Sequence, residues 1–194
     1  MILGKIVSSS SHTDYVCRIY AQGEVPDPPP PGDYGFGRFI AIEQSNEGFL
    51  VGVVRDTVLQ NPDFGSLGPR LAPADEVPNL TPDYVVEQAT LVAIIVLGSI
   101  SVDGSAQQGV PPLAATLNAQ VRTLLPTEIK CFHMATGALQ LAYLPMLLVL
   151  NSPLACPLAL CILDHLAALK IGQRKQLVVL ADNIRWKSGI LPAG

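Results

Sequence analysis

The sequence predicts an α+β protein in which a small N-terminal β-barrel is followed by a C-terminal helical subdomain. Three observations lead there. Short β-branched runs with a two-residue rhythm fill the first hundred residues, and clusters of turn residues punctuate them. Beyond Asp103-Gly104 the composition shifts to apolar stretches opened by proline. The expected division is residues 1–103 for the barrel and 104–194 for the helices, with the boundary near 102–112.

In chain order, residues 2–7 form a short β-rich run that Ser8–Ser11 breaks. Tyr15-Val16-Cys17-Arg18-Ile19-Tyr20 alternates like a half-buried strand. Pro26 and the run Pro28 to Pro31 have no N–H to give a ladder, so an extended polyproline loop is expected up to Gly32-Asp33. Residues 39–43 and 49–54 are two strands joined by Ser45-Asn46-Glu47-Gly48, a hairpin signature. Between residues 61 and 82, seven prolines and glycines predict a long loop. Residues 85–101 have a β-branched centre that suits a fully buried strand closing the barrel, which removes sticky sheet edges.

The helical part is expected to hold about four helices. Pro111-Pro112 opens one over residues 114–124, and Pro126-Thr127 opens a second with Glu128 at its positive end. Ser152-Pro153 opens a third, with Gly172 as a stop. Leu177, Leu180, Ala181 and Ile184 share one face of the fourth.

Charge narrows the function classes. Residues 1–87 hold twelve acids and five bases, a net of −7, while residues 88–194 are at +3. So acidic a front half repels phosphate backbones, and direct nucleic-acid binding by the barrel is not expected. Lys170, Arg174, Lys175, Arg185 and Lys187 crowd the last 25 residues, where a solvated helix end is the plain reading. Only 14% of residues are charged and 49% are hydrophobic, which suggests more apolar surface than one small monomer buries. No basic-then-apolar leader opens the sequence, and Cys17, Cys131, Cys156 and Cys161 lack the spacing of a disulfide framework. A cytoplasmic location is therefore expected.

Residues 138–169 carry few charges, but Pro145, Asn151-Ser152-Pro153 and Pro157 interrupt them, so a buried helical hairpin is expected rather than a membrane span. An embedded hairpin with Lys170, Arg174 and Lys175 on its flank is the alternative.

The search for chemistry assigns no catalytic, cofactor-binding or metal residue. No phosphate-cradling Gly-x-x-x-x-Gly-Lys-Ser/Thr loop occurs. The Gly-rich stretch from Gly32 to Gly37 precedes a strand, whereas a dinucleotide site follows one, so it reads as a turn. Cys131, His133, Cys161 and His165 are a donor set that zinc accepts, but Cys131 and His133 point about 200° apart on a helix. The plainer reading is buried thiols and partnered histidines. Ser152, Asp164 and His165 lack a nucleophile elbow, and Asp75-Glu76 sit in the Pro-rich loop. A zinc or thiol enzyme built on these residues is kept only as a minor alternative.

One resemblance concerns the first hundred residues. Ile2-Leu3-Gly4-Lys5-Ile6-Val7-Ser8-Ser9, Tyr15 to Tyr20, Asp33 to Ile42 and Val51-Gly52-Val53-Val54-Arg55-Asp56 form a strand series. Ala89 to Gly98 completes it. Together they resemble the HAS-barrel, the domain shared by HerA-type DNA translocases and the rotary ATP synthase α and β subunits. The resemblance covers about half of the chain. It implies a non-catalytic collar that supports assembly and partner docking, beside a ring ATPase or nuclease. The ATPase core that follows the barrel in that family has no counterpart in residues 104–194, which removes translocation from what the resemblance implies. The resulting expectation is a non-catalytic protein-binding module without cofactor or metal, forming a homo-oligomer.

Overall fold

The computed structural model describes residues 1–45, 47–60 and 89–190, and the side chains of Ser188 and Ile190 are outside it. The expected loop over residues 61–82, the Asp75-Glu76 pair and the first residues of the expected closing strand lie outside the described residues. Among the described residues there are seven strands: β1 (Ile2–Ser9), β2 (Asp14–Ile19), β3 (Phe39–Gln44), β4 (Gly48–Gln60), β5 (Ala89–Ile100), β6 (Ala106–Gln108) and β7 (Gln120–Thr123). Every pairing between them is antiparallel. The ladder runs β2-β1-β7-β3-β4-β5-β6, and β2 pairs again with β5. Six strands thus close a barrel, and β6 adds to β5 outside the ring.

The barrel is filled by Leu3, Ile6, Tyr15, Cys17, Ile40, Ile42, Leu50, Val54, Ile94, Val96 and Val121, all buried. Their alternate neighbours on three strands do not face water. Phe39 and Ala41 on β3, Val51 and Val53 on β4, and Ile95 and Leu97 on β5 join a second cluster shared with the helices. Strands covered on both faces read as continuous apolar runs, which is why these three lost their alternation in sequence. β2 keeps it, with Tyr15, Cys17 and Ile19 inward and Asp14, Val16 and Arg18 half-buried outside.

Four helices follow: α1 (Pro126–Met134), α2 (Leu144–Leu148), α3 (Ala155–Ala168) and α4 (Arg174–Ile190). In α1 the proline lies in the first turn and Glu128 accepts a 2.7 Å bond from the Leu125 N–H, which satisfies one of the donors that open a helix. α3 buries Leu158, Ile162, Leu163 and Leu166 against the barrel. Its 14 residues span about 21 Å, short of the ~30 Å of a hydrocarbon core. Among the described residues no helix is long and apolar enough to cross a membrane.

Three expectations need correction. Residues 114–124 are not a helix: Gln120–Thr123 is β7, which bonds β1 on one side and β3 on the other. The slot between those strands offers ladder partners to any extended segment, and that outweighs the weak helical preference of the Ala- and Leu-containing sequence. The barrel is consequently incomplete at residue 103 and takes its sixth strand from beyond the expected boundary. The stop after α3 is Lys170 rather than Gly172: Lys170 stands at φ 56, and the Ile171 N–H closes on the Leu166 carbonyl at 2.9 Å.

The turn before β3 fastens the barrel to α3. Gly37 stands at φ +77 and donates its N–H to Val54 O at 2.8 Å, and a Cβ there would lie 2.3 Å from Cys161 Sγ. Left-handed geometry costs an L-residue about 1–2 kcal/mol before any clash. Gly37→Ala is therefore expected to lower the unfolding free energy by at least that amount, read as a lower urea midpoint with an unchanged slope. An unchanged midpoint would show that the turn is not held in this conformation.

Candidate functional site

Of the residues that carry chemistry in the sequence, His133, Cys161 and His165 lie at the seam between barrel and helices, whereas Cys131 and Asp164 are exposed. His133, on the inner face of α1, is fully buried. Its Nδ1 lies 2.8 Å from the carbonyl of Ile129, which only accepts, so that nitrogen holds the proton. Nε2 then accepts from the Tyr143 hydroxyl at 2.8 Å. Burial pushes the His133 pKa down to about 4, with the Ile129 carbonyl opposing and a charge on His165 adding to it. Burial likewise holds the Tyr143 hydroxyl in its neutral form. Phe39 sits edge-on to His133, with ring centroids 5.4 Å apart, and equally near His165.

The remaining candidates do not gather around it. Cys131 is exposed on the other side of α1, with its thiol 3.5 Å from Gly104 O. The Cys161 thiol faces Phe36 O, and burial together with the Asp164 charge raises its pKa, so it is a thiol and not a nucleophilic thiolate. Ser152 Oγ accepts from the Leu154 N–H, and Asp164 is exposed. Among the described residues no group of three or more His, Cys, Asp or Glu stands close enough to hold a metal ion. A cavity of about 220 Å³ opens at this seam between Asp33, Arg38 and His165. The His165 pKa is lowered, first by burial and then by Arg38. Asp33 stands 4.0 Å from the Arg38 guanidinium, so the one cation in the cavity is already balanced.

Two polar ties that the sequence did not announce hold the seam. Arg122 on β7 grips Glu128 of α1 with two 2.8 Å bonds, bonds Glu43 of β3, and lies 4.9 Å over the Phe49 ring. The Glu128 bonds chiefly raise the Arg122 pKa, against burial. Burial alone would raise the Glu128 pKa, but the bonds from Arg122 and Leu125 outweigh it and hold the carboxylate charged. Gln108 on β6 donates to the carbonyls of Phe132 and Gln140 and accepts from the Ala142 N–H. Only a structure reveals these partners, since they are separated by up to 79 residues.

A cleft of about 680 Å³ lies between the Pro28–Pro30 run and the barrel, lined also by Tyr20, Tyr34, Leu59 and Thr90, and two exposed surface features stand apart from it. α4 buries Leu177, Ala181 and Ile184, and on its opposite side Val179 and Trp186 are 60% and 69% exposed. Seven residues apart, they lie within about 20° of one another around the helix axis. Beside them a shallow groove of about 540 Å³ is lined by Leu139, Leu141, Val179 and Leu180, with Lys175 at its rim. At the opposite sign of charge, the turns after β3 and β5 stand side by side, and Glu47, Val102 and Asp103 are exposed there.

The model of one family, described as a domain of unknown function (DUF8166), matches residues 1–193, and the chain belongs to that family. No curated protein matches the chain.

The buried imidazole sets a pH dependence of stability. A base whose folded pKa lies below its unfolded value of 6.5 favours the unfolded chain when protonated. The His133 contribution is thus complete above pH 6.5 and is lost as the pH falls toward about 4. Between pH 7.5 and 5 the loss assignable to His133 is expected to be roughly 2 kcal/mol. Urea unfolding at both values, for the native chain and for His133→Gln, isolates it as the difference in pH slope. Equal slopes would show that His133 titrates normally.

Proposed function

We propose that this member of the DUF8166 family is a non-catalytic protein-assembly module that self-associates in the cytoplasm. The observation that carries this reading is the outward stripe of α4, where Val179 and Trp186 are exposed beside the Leu139–Leu141 groove. Large apolar side chains clustered at a groove, with a charged rim, are the usual composition of a protein contact. The state of the reactive side chains supports it too. His133 has both ring nitrogens occupied, and burial holds the Cys17 thiol protonated with its pKa raised to about 12. The four free thiols suit a reducing compartment.

The resemblance of the strand series to the HAS-barrel points the same way, toward a collar that docks partner chains. On that reading the partner beyond further copies of this chain is a ring ATPase or a nuclease. The acidic barrel contributes protein contacts rather than contacts to nucleic acid.

Light-scattering mass of the purified chain on a sizing column, without detergent, tests self-association. A discrete oligomer is expected, with Val179→Asp/Trp186→Asp shifting the mass toward the monomer while leaving the melting curve cooperative. A monomer at every concentration, with the same mass in the variant, would remove self-assembly from the reading.

A further inference from the structure

The two exposed features at opposite ends of the charge distribution are opposite in sign and each carries exposed apolar surface. The tip at the β3–β4 and β5–β6 turns carries Val102, 74% exposed, with Glu47 and Asp103 beside it. Neither carboxylate has a cation partner among the described residues. Asp103 accepts from the N–H and the hydroxyl of Ser105, which stiffens the turn that presents Val102. The two turns are in close contact, since a Cβ on Gly48 would meet Ile100 O at 2.1 Å. The tip therefore presents the exposed Val102 side chain between two carboxylates that have no cation partner among the described residues.

The groove beside α4 has the opposite character. Its floor is Leu139, Leu141, Val179 and Leu180, and Lys175 stands at its edge with exposed Arg174 next in sequence. Pairing α4 with α4 of another copy would cover the apolar stripe but set like charges against each other. Arg174, Lys175 and Lys187 are exposed on that helix, and its one acid, Asp182, is already bound to Arg185. A contact that matches sign needs an acidic surface with an exposed apolar side chain, which the tip at Glu47, Val102 and Asp103 supplies.

We propose that copies of this chain associate head to tail, the tip of one seating Val102 in the α4 groove of the next, with Glu47 and Asp103 facing Arg174 and Lys175. This deepens the assembly reading and rests on it. A heterologous contact of this kind propagates, so it yields a discrete mass only when it closes into a ring. Because its charged pairs lie at an exposed rim, the contact weakens as salt rises.

Complementary charge reversal tests it. The tip variant is Glu47→Lys/Asp103→Asn, in which the asparagine keeps an acceptor for Ser105; the groove variant is Arg174→Glu/Lys175→Glu. Each alone is expected to raise the dissociation constant at least about tenfold, the equivalent of 1.4 kcal/mol. A one-to-one mixture is expected to reassemble, because the basic tip of the first meets the acidic groove of the second while the two native surfaces meet each other. Val102→Ser, which leaves the charges alone, is expected to weaken assembly at low and high salt alike. If the native chain is oligomeric and the reversals leave its mass unchanged, or the mixture fails to reassemble, this contact is wrong and the assembly reading stands. A native chain that is monomeric throughout overturns both.

Discussion

Three strands of this protein are covered on both faces, and the rest of the architecture follows from that constraint. Phe39, Ile40, Ala41 and Ile42 on β3, with their counterparts on β4 and β5, leave no polar side for water. One set of alternate residues fills the barrel and the other must be covered from outside, which the helices do. Removing α3 would expose the outer faces of three adjacent strands at once. The barrel and the helices are thus halves of one packing problem, joined through the shared cluster from Phe39 to Ile184.

Apolar packing is non-directional, so the orientation of the helices on the barrel needs polar ties. Arg122 joins β7, β3 and α1; Gln108 joins β6 to the segment leading into α2; His133 joins α1 to Tyr143. Buried polar atoms are costly unless bonded, and among the described residues no buried side-chain nitrogen or oxygen lacks a partner. His133 has both ring nitrogens bonded, and burial keeps the Cys17 thiol protonated. Among the described residues the exposed features include the α4 stripe, the acidic turn tip and the cleft beside Pro28 to Pro30.

The β half was the more legible part in sequence. The hairpin of β3 and β4 could be read because two β-rich runs flank a short Gly-containing turn within twenty residues, and the observed pairing runs from Phe39–Val53 to Gln44–Gly48. β7 was not legible. Its four residues are too short for a period to register, and the segment from Ala114 to Leu124 contains enough alanine and leucine to read as a helix. Within the buried helical hairpin expected over residues 138–169, the first arm is only α2, a single turn and a half that buries Leu144 and Leu147 in the shared cluster. The donor set of Cys131, His133, Cys161 and His165 shows the limit for sites. Spacing along a helix separates Cys131 from His133, but only the fold assigns Tyr143 as the histidine's partner.

By itself the sequence determined the class of the protein: β-rich turns and runs in front, proline-opened apolar helices behind, and charge split between them. Those features are local, written in the identity of neighbouring residues and in periods of two or 3.6. The tertiary structure alone decided where the barrel closes, which face of each strand the helices cover, and which polar groups spend their bonding capacity inside. Each of these is settled by partners far apart in the chain, such as Arg122 with Glu43 or Gln108 with Gln140. A ladder slot or a buried acceptor outweighs a few tenths of a kcal/mol of local preference, and no local pattern records it.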